Sequence, residues 1–174
     1  TKRKSGQHNA NNDIVILPKF SKIVHCLRGH FIPNLSTLYC SARYFVADEK
    51  ILQKEKQKDN VLCFVSKAKG FIKYIHKDRI TNFFQFYKII TCAASYKGSS
   101  GFSTIIFGGK NCVHTASYIS FRVPSKQAAT SLYSYLQCKF PHVLLAARKI
   151  SHNISKHTLD WIPLPPLEIG RAHV

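Results

Sequence analysis

Carboxylates are what this chain has least of: eight Asp and Glu stand against 26 Lys and Arg, for a formal charge of +18 and a pI near 9.9. The shortage excludes a carboxylate-rich metal site and argues against an enzyme acting on cationic substrates. Methionine is absent throughout. No apolar run approaches the roughly 18 residues of a membrane-crossing helix, and Thr1 to Asn12 is polar, without a signal-peptide core. The six cysteines form no C-x-x-C pair, and the spacing of Cys26, His30 and Cys40 fits no common zinc pattern, so no metal is expected. Most cysteines sit in apolar runs, as in Val61-Leu62-Cys63-Phe64-Val65. That usage fits a reduced, cytoplasmic chain in which thiols serve as small core groups.

The signatures of catalysis are also missing. No G-x-G-x-x-G and no G-x-x-x-x-G-K-[ST] occurs. No N-P-P-Y or D-P-P-Y loop is present to hold a flipped base, and no E-x-K is present to build a nuclease centre of the PD-(D/E)xK kind. No catalytic residue is therefore expected, and no cofactor for these residues. What the chain does have is 174 residues with 45% apolar and 12% aromatic side chains, enough to close a core without disulfide or metal staples.

Along the chain, residues 1–13 read as a disordered lead and 14–167 as a single domain. Ser36 to Val46 carries β-type residues, and Asp48 to Asn60 is a charged, solvated stretch. Val61 to Ser66 has the length and continuous apolarity of a strand buried on both faces. Lys67-Ala68-Lys69-Gly70 then links it to Phe71–Ile75 as a hairpin, with Gly70 supplying a positive φ. Further strands are expected at Tyr87–Ser95, Thr104–Phe107 and Thr115–Val123. After Pro124 the period becomes helical: Ser125 is an N-cap, and Ala128, Ala129, Leu132, Leu136 and Phe140 share a face. Pro141 suits the first position of a second helix bearing Val143, Leu144, Ala147 and Ile150. The prolines in Trp161–Leu167 enforce extended backbone. The expectation is an α+β fold, a mixed or mostly antiparallel sheet with a late helical pair.

Basic turns interleaved with aromatics make the chain a candidate binder of a polyanion. Lys67, Lys69 and Lys73 lie on and after the hairpin link, Lys97, Ser99 and Ser100 in a Gly/Ser turn, and Arg148, Lys149, His152, Asn153, Ser155 and Lys156 after the second helix. Lysine and arginine neutralise phosphates, while Arg148 and Asn153 carry groups that can contact base edges in pairs. Phe71, Tyr74, Phe83, Phe84, Phe86 and Tyr87 are expected in the core, with Trp161 as its lid.

The order of V-S-K-A-K-G-F-I-K-Y-I at 65–75, Y-K-I-I-T at 87–91, S-G-F at 100–102 and H-T-A-S-Y-I-S-F at 114–121 is notable. It continues with S-L-Y-S-Y-L-Q-C-K-F at 131–140, R-K-I-S-H-N-I-S at 148–155 and W-I-P-L-P-P-L at 161–167. Together these resemble the C-terminal target recognition region of TaqI-type adenine-specific DNA methyltransferases, the restriction–modification enzymes and their phage and virus relatives. The match spans Asn60 to Leu167, about two-thirds of the chain. The resemblance implies a domain that grips double-stranded DNA and selects its sequence. An N-terminal catalytic methyltransferase domain of the same parent chain would then bind S-adenosylmethionine and the extruded adenine. Two other readings fit the residues: the specificity part of a fused restriction endonuclease–methyltransferase, and a stand-alone basic nucleic-acid-binding module.

The chain opens on Thr1 and holds no methionine, which leads to the expectation of a fragment. Glu168-Ile-Gly-Arg-Ala-His-Val174 can be back-translated to GAG ATC GGA AGA GCA CAC GTC, which resembles a sequencing-library adapter, so 168–174 is expected to be a non-native tail.

Overall fold

The computed structural model describes residues 33–41, 51–80, 86–94, 101–148 and 151–167. The expected lead at 1–13, the expected tail at 168–174 and Cys26, His30, Phe83, Phe84 and Ile150 lie outside the described residues. Among the described residues seven strands and three helices follow one another: β1 (Tyr39–Ser41), β2 (Asn60–Phe64), β3 (Ile72–His76), β4 (Tyr87–Cys92), β5 (Ile105–Gly109), β6 (Cys112–His114), β7 (Tyr118–Val123), α1 (Lys126–Gln137), α2 (Lys139–Arg148) and the single turn α3 (Lys156–Leu159). The strands make two sheets. One has four strands in the order β1-β7-β4-β5, antiparallel throughout; the other is β3-β2-β6, with β2 antiparallel to β3 and parallel to β6. The fold is α+β.

The four-stranded sheet is covered on both faces. Alternate side chains of β4 and β7 point opposite ways. Ile89, Ile119, Phe121 and Val123 join Ala128, Ala129, Leu132 and Leu136 of α1, Leu144 and Leu145 of α2 and Leu159 of α3 in the main core. From the other face Ile90 and Tyr118 meet Phe64 and Cys112 of the three-stranded sheet. Cys63, Ile75 and Val113 then face away from Phe64 and close against Ile80, Ile51 and Leu52. Strand β2 is thus buried on both faces at its C-terminal end, as its unbroken apolar sequence requires.

Helix α1 begins where the chemistry says it should: Ser125 Oγ accepts from the Ala128 amide at 3.0 Å. The apolar face departs from the expected one at its end. Phe140 is exposed, because Cys138 ends α1 and Phe140 falls in the first turn of the next helix. Pro141 sits third in α2, not first, where its missing amide still costs no intrahelical bond. The buried side of α2 is Leu144, Leu145 and Ala147, with Val143 outside. Past α3, the Ile162–Leu164 stretch runs antiparallel to Pro33–Leu35: Leu35 N donates to Ile162 O at 2.8 Å and Leu164 N to Pro33 O at 2.6 Å.

Candidate nucleic-acid interface

Segments far apart in sequence meet at one rim of the two sheets, the end where β2, β4 and β6 finish and β7 begins. A chain of hydrogen bonds joins them. Thr115 N donates to Phe64 O at 3.0 Å, and the Tyr118 hydroxyl donates to Val65 O at 3.2 Å. Ala93 N donates to Ser117 O at 2.9 Å, and Ile154 N to Ala93 O at 2.8 Å. Ala94 and Asn153 form an antiparallel bridge beside that last bond. The Lys67–Lys69 turn, the Thr115–Ser117 turn, the end of β4 and the Ser151–Ser155 segment therefore share one edge of the molecule.

The first of these is the tightest. Lys69 N and Phe71 N both donate to Ser66 O, at 2.9 and 3.2 Å, Gly70 N donates to Lys67 O at 3.1 Å, and Ile72 N to Gly70 O at 2.7 Å. Gly70 has φ +96°, as the sequence leads one to expect, and Phe71 follows at φ +65°. Lys67, Ala68, Lys69 and Gly70 are all exposed. The charges of the β2–β3 hairpin are unevenly distributed. At its opposite end Asp59 takes a hydrogen bond from Lys77 Nζ at 2.6 Å, and Asp78 lies 3.3 Å from His76 Nδ1. That bond and the Lys77 charge lower the Asp59 pKa, and the same bond with the Asp59 charge raises that of Lys77. The turn bearing Lys67 and Lys69 contains no acidic residue of its own.

At the other end of the rim, His152 and Asn153 are exposed. Ser151 Oγ donates to Asn153 O at 3.3 Å, and the Ile154 bond to Ala93 fixes the next residue. Ser155 is a cap: its hydroxyl accepts from Thr158 N at 3.4 Å while its own amide donates to Thr158 Oγ1 at 3.0 Å. Lys156, exposed, opens α3 directly behind it. Two further expected members of the site have side chains that are partly engaged. Lys73 is half-buried at the second position of β3, paired with Cys63, one residue in from the rim end of β2. Arg148 lays its guanidinium over the Trp161 ring, 4.7 Å from the centroid, so its planar group is engaged in packing as well as being charged. Lys97, Ser99, Ser100 and Lys149 lie outside the described residues.

Sequence reading missed the polar groups between the two sheets. Lys88, in an apolar strand, is fully buried; its Nζ donates to Lys110 O at 2.7 Å and Phe86 O at 3.1 Å. Burial lowers its pKa to about 8, with Arg122 adding to the effect and the thiols of Cys112 and Cys40 opposing it. His114, also fully buried, places Nδ1 3.0 Å from Thr115 O and Nε2 3.0 Å from Ser120 Oγ. Nδ1 therefore carries the proton and Nε2 accepts from the serine. Burial holds the His114 pKa down at about 4 against that carbonyl bond, with Lys88 and Arg122 adding to the depression. Arg122 donates from Nη2 to the Cys40 thiol. Burial also pushes Cys63 up to about 12 and Cys112 up to about 11, so neither is a thiolate nucleophile near neutral pH. Only the placement of a lysine inside Y-K-I-I-T could have hinted at this layer.

Among the described residues no group of three or more His, Cys, Asp or Glu comes together as a metal site. A Cβ on Gly101 would strike His142 and one on Gly108 would strike Cys112 and Ile90, so both positions need glycine for close packing. No helix among the described residues is long and apolar enough to cross a membrane. Comparisons with protein-family models, with curated proteins and with solved structures gave no match.

Proposed function

We propose that this chain is the target recognition part of an adenine-specific DNA methyltransferase of the restriction–modification type. It grips double-stranded DNA in the cytoplasm and works with a catalytic domain of its parent, which binds the S-adenosylmethionine. The observation that carries the DNA-binding half of this reading is the rim. Lys67, Lys69, His152 and Asn153, separated by some eighty positions in sequence, lie along one edge. The carboxylates Asp59 and Asp78 of the same hairpin are held at its other end. A row of exposed cations and amides matches a phosphate backbone with base edges beside it. The methyltransferase half rests on the family resemblance of residues 60–167.

Titration of a mixed-sequence DNA duplex over a range of salt concentrations tests the reading. Log affinity should fall linearly with log salt, by about 0.9 per phosphate neutralised. Binding that does not respond to salt would overturn it. The chain alone should transfer no methyl label from S-adenosylmethionine to that duplex. Label above a heat-killed control would place catalysis in this chain and sink the recognition-domain reading.

A further inference from the structure

Phe71 adopts φ +65°, a left-handed backbone that bulky residues rarely take. Glycine at that position would relieve the strain, and Gly70 immediately before it already provides one left-handed residue. Something must therefore hold Phe71 there. The holding contact is its ring, which stands edge-on to Phe64 with centroids 5.8 Å apart, inside the cluster that joins the two sheets. Its backbone is fixed as well: Phe71 O accepts from Val65 N at 2.9 Å, and Phe71 N donates to Ser66 O. Strain that surrounding structure maintains is a sign of a positioned group. The group positioned here is the tip carrying Lys67 and Lys69, which is closed by backbone bonds within the turn and exposes both lysines.

We propose that the Ser66–Phe71 turn is a preformed phosphate-gripping tip, with Phe71 as the positioning residue that aims Lys67 and Lys69 at a nucleic-acid backbone. The inference rests on the DNA-binding reading above and makes it specific. Residues 67–69 form a single 3-10 turn, in which positions two apart lie about 120° from each other around the axis, so Lys67 and Lys69 do not share a face. A tip of this shape suits neighbouring phosphates of one strand better than a single anion. Because the turn is already hydrogen-bonded, binding need not order its backbone, which limits the entropy lost.

The test is a set of salt titrations with the full chain and a mixed-sequence duplex. Replacing both lysines (Lys67→Ala with Lys69→Ala) should lower the slope by about two, one for each phosphate released. Phe71→Gly keeps the left-handed backbone without strain and removes the ring anchor. It should lower the slope toward that of the double variant at temperatures where its melting curve shows a folded protein. Added to the double lysine variant, Phe71→Gly should change the slope no further. Phe71→Tyr keeps the ring and should restore the wild-type slope. If Phe71→Gly shifts only the melting temperature, or if the lysine double variant keeps the wild-type slope, the tip is structural and the inference falls. Salt-independent binding by the wild-type chain would instead bring down the DNA-binding reading itself.

Discussion

The two faces of the four-stranded sheet are packed by opposite means. Toward the helices, Ile89, Phe121 and Val123 meet leucines and alanines, and the strands add only Thr91 as a buried polar group, whose hydroxyl lacks a partner among the described residues. Toward the second sheet the same strands present Lys88, Ser120 and Arg122, which share that layer with His114 and with apolar Ile90 and Tyr118. Burial of apolar area stabilises the first face whatever the pH. On the second face a buried ammonium bonded to carbonyls, and an imidazole kept neutral, make stability depend on protonation. Between about pH 5 and 9, one sheet therefore has a side whose stability responds to pH and a side whose stability does not; above that range half-buried Tyr135, its pKa raised from 10.0 by burial, brings the helix side in as well.

The largest effect expected from breaking this contrast is on the helix side. Leu132→Ala empties a fully buried site and should cost about 2 to 5 kcal/mol, nearly the same at pH 5, 7 and 9, by denaturant unfolding. A cost that varied strongly with pH would mean the two faces are not independent.

On the other face Lys88 comes next. Its folded pKa of about 8 lies below the 10.5 of an unperturbed lysine. The unfolded chain therefore binds more protons at this site between these values, so the Lys88 contribution to stability rises by roughly 3 kcal/mol through that window, while the raised thiols of Cys63 and Cys112 oppose it above about pH 9. Lys88→Met should be more stable than the wild type at pH 7 and should lack the alkaline rise. His114 acts at the acid end with similar size. With a folded pKa of about 4 against 6.5, its contribution is complete above pH 6.5 and is lost as pH falls toward 4, again roughly 3 kcal/mol. Unfolding curves of His114→Gln should show a shallower decline across that range. An unchanged decline would remove His114 from the account.

The smallest effect sharpens the comparison by probing a helix end outside both interfaces. Ser125→Ala removes the cap on Ala128 N and should cost about 1 kcal/mol, independent of pH.

Local signals are legible in the sequence and distant ones are not. The hairpin link with Gly70 and the cap at Ser125 can be read because each depends on neighbours within a few residues. Strand β6 cannot: three residues become a strand only because Cys112, Val113 and His114 pair with Leu62, Cys63 and Phe64 some fifty positions earlier. Lys88 reads as part of its strand, yet its burial does not, since burial of a lysine is decided by what covers it: the turn at Lys110 and the opposing sheet. The candidate interface divides the same way. Each basic turn is visible singly. Their common edge arises from the Ala93–Ile154 and Thr115–Phe64 bonds, which no local pattern encodes.

The paired stretches at Pro33–Leu35 and Ile162–Leu164 give the molecule a mechanical property. Because they run antiparallel, Pro33 and Leu164 leave the pair at the same end, side by side. Tension applied to the chain before Pro33 and after Leu167 would load the Leu164–Pro33 bond first and the Leu35–Ile162 bond only after it breaks. The clasp would open like a zipper, one bond at a time, at low force. The second step frees two anchors of the helix-side core together, Leu35 and Ile162, before any strand of the four-stranded sheet is pulled. A neighbour tugging on both ends would slacken the helices while the sheet pairing stayed intact.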